Sequence, residues 1–141
     1  VKIEVKGLFA VNTALTKLNR HMERESRRRL LEAGRLVQSE ARARAPQDMG
    51  TLANNIKIKR GSDYVDVGHM GGAIRKYAYV MHEGYYKLGA GSRAKQASLG
   101  VEVGPYYIDR GLEDNESEIE KILGHGVKIV VDRWNGQEDI I

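Results

Sequence analysis

The chain of 141 residues contains no cysteine. Disulfides and thiolate metal centres are therefore excluded, and the composition fits folding in a reducing compartment. Aromatic residues make up 6%, and tyrosine supplies seven of them. That leaves few rings for a base-stacking platform. Proline occurs twice. No run approaches the roughly 20 apolar residues needed to span a membrane as a helix. Val1-Lys2-Ile3-Glu4-Val5 carries charges where a signal peptide needs an apolar core.

What is present is charge, and it is unevenly placed. The net charge is +4. Between Arg20 and Arg44 stand eight arginines and four glutamates, so this segment alone carries +4 and the remainder is neutral. The basicity belongs to one element and not to a whole surface. The length favours a single domain, expected over 1–134 with a flexible tail at 135–141.

Periodicity sets the expected elements. Val1, Ile3 and Val5 alternate with charges and predict a half-buried strand ended by Gly7. Val11, Leu15, Leu18, Met22, Leu30, Ala33, Val37 and Ala41 form one helical stripe, which predicts a helix from Phe9 to Ala45. Pro46 stops it, because proline disfavours the α conformation of the residue before it. At about 1.5 Å per residue such a helix exceeds 45 Å, so it is expected to bend near Gly34 or to protrude beyond its core.

The segment from Leu52 to Lys59, the turn Gly61-Ser62-Asp63 and the run Tyr64, Val65, Val67 predict a β-hairpin. Tyr77 to Met81 is apolar and β-prone, and a strand is expected. Gly84 to Gly100 is rich in Gly, Ser, Lys and Ala and is expected to be a long loop. Val101-Glu102-Val103 predicts a short strand. Gly104-Pro105 opens a second helical segment with Ile108, Leu112, Ile119, Ile122 and Leu123 on one stripe. Gly124-His125-Gly126 is expected to interrupt it, and residues 127–134 lean helical. The expected class is α+β, a small antiparallel sheet packed against a long N-terminal helix and a C-terminal helix.

No catalytic, cofactor or metal constellation emerges. Gly89-Ala90-Gly91-Ser92 lacks the following Gly-Lys-Ser/Thr of a phosphate loop. Asp66, His69, His82 and Glu83 offer metal-ligating types, but His82-Glu83 lacks the second histidine of a His-Glu-x-x-His site. Ser26, Ser39, Ser62, Ser92, Ser98 and Ser117 have no nucleophile-elbow context. No cofactor and no enzymatic activity are expected.

Three passages carry a family resemblance. Ala41-Arg42-Ala43-Arg44-Ala45-Pro46-Gln47-Asp48-Met49-Gly50-Thr51-Leu52 resembles a helix, Ala-Pro, spacer, Gly-x-Leu pattern. Tyr77-Ala78-Tyr79-Val80-Met81-His82-Glu83-Gly84 is similar to a Tyr-Ala-x-x-x-(Glu/His)-x-Gly pattern. Gly104-Pro105-Tyr106-Tyr107-Ile108-Asp109-Arg110-Gly111-Leu112 resembles a Pro-aromatic-hydrophobic lead into a last helix. Their order and spacing, over roughly residues 8 to 123, resemble the tail-completion, neck or head–tail connector proteins of long-tailed bacteriophages, the gene-product-ten-like group of lambdoid phages. Gly111 stands where that family usually has Ala, and the stretch from Tyr85 to Leu99 is longer than its pattern.

The resemblance implies a virion structural protein, assembled in the host bacterial cytoplasm. It implies a homo-oligomeric ring of sixfold or twelvefold symmetry at the head–tail junction. Adjoining neck, portal-side or tail proteins would be its partners, with DNA passing through the channel without sequence-specific binding and no membrane involved. On that reading Arg20, Arg24, Arg27, Arg28 and Arg35 would meet Glu113, Asp114, Glu116, Glu118 and Glu120 of a neighbour. Tyr85, Tyr86, Lys87, Arg93 and Lys95 would form an inter-ring loop. Two rival readings are a sequence-neutral nucleic-acid-binding module using the arginine helix, and a small metal-dependent nuclease using Asp66, His69, His82 or Glu83.

Overall fold

The structure, a computed structural model, describes residues 8–47 and 50–135, with side chains for 10–47 and 50–125. The strand expected over Val1 to Lys6 and most of the expected tail at 135–141 lie outside the described residues. Helix α1 runs unbroken from Leu8–Arg44. Its last turns are the spine of the molecule. Ala33, Val37 and Ala41 are buried there. Such small residues let other elements come close to its backbone.

Gly34 does not end or divide α1. A Cβ at that position would lie 2.5 Å from Val65 Cγ1, so its bare backbone is where the sheet lands. Beyond Pro46, Gly50 adopts a left-handed φ of 77° and starts a single helical turn, α2 (Thr51–Asn54), that drops Leu52 into the core. The expected first strand is therefore shorter at its start. Strand β1 (Ile56–Arg60) pairs antiparallel with β2 (Val65–His69), with Ile58 opposite Val67. The Gly61 N–H donates to the Tyr64 carbonyl and closes the turn (2.9 Å).

Three expectations are overturned next. Tyr77 to Met81 lies inside helix α3 (Gly72–Glu83), not in a strand. Ile74, Ala78 and Met81 recur at helical spacing, and Ala78 enters the core. That docked face outweighs the β preference of the tyrosines and Val80. The presumed long loop contains helix α4 (Ala90–Leu99), ended by Gly100 at φ 67°. Residues 101–103 form no strand; Val103 is buried and its N–H donates to the Gln96 side-chain carbonyl (3.0 Å).

Tyr106 adopts a left-handed φ of 55°, and its N–H donates to the His82 carbonyl (2.8 Å). This sharp entry aims Tyr107 inward at the start of α5 (Tyr107–Glu113). Helix α6 (Glu116–Asn135) follows and runs straight through Gly124 and Gly126, where an interruption was expected. The helical lean of 127–134 holds for the backbone. Helices α5 and α6 pack along α1. The class is α+β, as expected, with the core centred on Ala41, Ala45, Leu52, Ile56, Ala78 and Tyr107.

Gly111 earns its place at this packing. A Cβ there would lie 2.9 Å from the Ala41 nitrogen and 3.2 Å from its Cα. Both are backbone atoms and cannot swing away, so the glycine that costs helix propensity permits the α1–α5 contact.

Candidate functional site

At about 100° per residue, Arg20, Arg24, Arg28 and Arg35 stack along one side of α1, away from its apolar stripe. They and Arg27 are exposed. Arg27 donates Nε–H to the Ser62 carbonyl (3.1 Å), tying α1 to the hairpin turn. Arg29 sits between Glu25 and Glu32, 3.0 Å from each. The last arginines behave differently. Arg42 donates to the Ile56 carbonyl (2.9 Å). Arg44 is buried, pairs with Glu40, and forks onto one oxygen of Asp114 (3.1 Å from both Nε and Nη2).

The acidic stretch divides by partner and not by exposure, since Asp114 is exposed as well. Glu113, Glu116, Glu118 and Glu120 are exposed, with Glu118 3.7 Å from Lys121. Asp114 is bound to Arg44 of its own chain. A contact it makes within the fold is one that sequence spacing does not reveal, because α5 and α1 are far apart in the chain.

The presumed inter-ring loop is mostly structural. Lys95 donates from Nζ to the carbonyls of Arg42 (2.5 Å) and Ala45 (2.7 Å), and burial lowers its pKa. With the Gly104 N–H on the Arg44 carbonyl (3.0 Å), it satisfies the carbonyls left open at the end of α1. Ser92 is buried and accepts the Gln47 N–H (2.8 Å). Tyr86 donates to the Met81 carbonyl (2.7 Å), and burial pushes its phenol up to about 12. Arg93 donates to the Leu88 carbonyl (2.7 Å). Tyr85, 100% exposed, and Lys87 project outward.

A polar cluster lies beneath α3. The fully buried Tyr107 places its hydroxyl 2.7 Å from His69 Nε2. His82 meets the same ring edge-on, with centroids 5.0 Å apart. Burial, and then the nearby His82, hold the His69 pKa below its ordinary value. His82 Nδ1 is 3.0 Å from Glu83. Among the described residues no group of three His, Asp or Glu side chains is placed to hold a metal ion. Tyr107 was visible in the sequence only as part of a motif.

Residues 9–98 match the model of the family described as "Bacteriophage HK97-gp10, putative tail-component". The match covers α1, the hairpin, α3 and nearly all of α4, and the chain belongs to this family. It is a family of phage structural components and not one of enzymes. No curated protein and no solved structure matches the chain. Among the described residues no helix is long and apolar enough to cross a membrane.

Proposed function

We propose that this protein is a ring-forming subunit at the head–tail junction of a bacteriophage, joining tail to capsid around the DNA channel. It does no chemistry. The observation that carries this reading is the pairing of two opposite exposed surfaces on one chain of a phage tail-component family. The row Arg20, Arg24, Arg28, Arg35 lies on α1, and Glu113, Glu116, Glu118 and Glu120 lie on α5 and α6. Different surfaces that complement each other make a head-to-tail contact, which closes into a ring when the rotation per subunit allows. Sixfold or twelvefold closure suits the axis of a tail. Tyr85 and Lys87 project from the body and suit contact with an adjoining tier.

Light scattering after size exclusion tests the reading. A discrete closed oligomer that loosens as salt screens its surface charges is the expected result. A charge reversal Arg24→Glu should lower the mass, and Glu120→Arg in the same chain should restore part of it. A strict monomer at low and moderate salt, unchanged by either substitution, would overturn self-assembly through these surfaces.

The arginine row supports one other reading. Exposed arginines at a repeat of about 6 Å along a helix can also face phosphates. A salt-sensitive shift of duplex DNA, lost in Arg24→Glu, would favour a sequence-neutral nucleic-acid-binding module.

A further inference from the structure

The packing partners follow one another around α1. Leu30, Ala33 and Val37 lie on the side covered by α5 and α6, and Gly34 lies next to them under Val65 of β2. Gln38 and Arg42, both bonded to the Ile56 carbonyl, lie further round under β1. β2 is therefore the strand nearer α5 and α6. Its second edge borders a groove of about 240 Å³ lined by Leu30, Val37, Val67, Ile108, Ile119 and Leu123. An apolar cavity of about 150 Å³ already admits a benzene-sized group, so this groove has room for aliphatic side chains. Asp109 is the one charged residue in its lining.

The sheet beside it has two strands among the described residues, so β2 pairs with β1 alone. A strand edge with no partner among the described residues, next to an apolar groove, fits an extended segment with apolar residues at every second position. Backbone hydrogen bonds hold such a segment, and alternate side chains fill the groove.

This chain contains such a segment, Val1-Lys2-Ile3-Glu4-Val5-Lys6. It cannot serve its own groove. Leu8, where α1 begins, precedes Leu30, the nearest groove residue on that helix, by 22 residues. At about 1.5 Å per residue this is roughly 33 Å, whereas residues 1–7 fully extended reach about 25 Å at most. The reach of the segment thus falls short of the groove of its own chain. We infer that the groove beside β2 takes residues 1–6 of a neighbouring copy, added as a strand to β2. Val1, Ile3 and Val5 enter the groove, and Lys2, Glu4 and Lys6 face outward. This rests on the reading that copies of the chain meet one another. Each copy gives a strand at one place and receives one at another, a head-to-tail contact like that of the charged surfaces.

The absence of cysteine makes the test clean. Asp66 and Gly68 lie on the outward face of β2, and a Cβ at Gly68 would meet open space. A chain with Glu4→Cys is mixed under oxidising conditions with one carrying Asp66→Cys or Gly68→Cys. A chain with Lys57→Cys, on β1, serves as control. The covalent dimer is expected at about tenfold above the control, because a disulfide needs Cα atoms within about 7 Å. In parallel, Ile3→Asp should lower the assembly to monomer mass, with a monomer that still unfolds cooperatively and has lost only the stabilisation that association supplied. Yields equal to the control, or an assembly indifferent to Ile3→Asp, would overturn the strand exchange and leave the ring reading standing. The double variant Glu4→Cys/Asp66→Cys separates the two further. A covalent ladder with a fixed top rung supports both, and an open-ended ladder keeps the strand exchange and overturns the closed ring.

Discussion

The two halves of α1 share one helix and one periodic stripe, and they differ in what covers that stripe. In the C-terminal half Ala33, Val37 and Ala41 are buried, Gly34 touches Val65, and Lys95 and Gly104 close the end. In the N-terminal half Val11 is 57% exposed and Leu15 54%. Val11 and Leu15 at the start of the stripe are its open part, Leu18 and Met22 are half-buried, and the smallest residues sit where packing is tightest. A stripe of small residues marks close approach of backbones. A stripe of large ones left open marks contact with something else. The arm remains helical because helix propagates from an anchored root at little cost once nucleated.

This contrast can be broken from the root outward. Tyr107→Ala removes the largest fully buried side chain among the described residues. It should cost about 3–5 kcal/mol, read as a large fall in denaturant midpoint. Gly111→Ala adds one methyl where two backbone atoms of Ala41 stand within 3.2 Å. The expected loss is about 1–3 kcal/mol, although alanine is the better helix former. A neutral or raised thermal midpoint would mean that α5 can move off α1, and the account of Gly111 would fail.

A smaller effect follows from His69. Its pKa is lowered in the fold, so the folded state prefers the neutral ring. Stability is then present above the ordinary value of 6.5 and lost as pH falls from there through the folded pKa. Thermal midpoints measured down through this range should decline, and His69→Gln should flatten that part of the profile. The decline should be absent if Tyr107 and His82 tolerate a charged ring beside them.

The smallest effect belongs to the arm. Leu15→Ala should change stability by no more than about 0.5 kcal/mol, as for a surface site. The same holds for Arg24→Glu, whose effect should fall on assembly mass. If Leu15→Ala unfolds the protein as Tyr107→Ala does, the arm is not an arm but part of the core.

The hairpin and the long helix were legible because each has a period and a stop written locally. Ile56 and Ile58 alternate with lysines, Gly61-Ser62-Asp63 turns, and Ala45-Pro46 ends the helix. Helices α3 and α4 were not. The α3 run carries tyrosines and a valine that prefer strands, and the docking of Ala78 and Met81 against the core outweighs that preference. The α4 segment looks like a linker by composition, and it is held by Ser92 on Gln47 and Lys95 on the end of α1. The candidate site was legible as charge clusters. Which members remain unbonded was not, since Asp114, Tyr86 and Lys95 are held by partners five to seventy residues away.

By itself the sequence determined the class of fold, the long basic helix, the hairpin and the family, because these rest on local period, turn chemistry and the order of motifs. The tertiary structure decided which half of α1 is core and which is arm, why residue 111 must be glycine, and which charges remain for a partner. Those depend on distances between chain-distant backbones, and no local pattern encodes them.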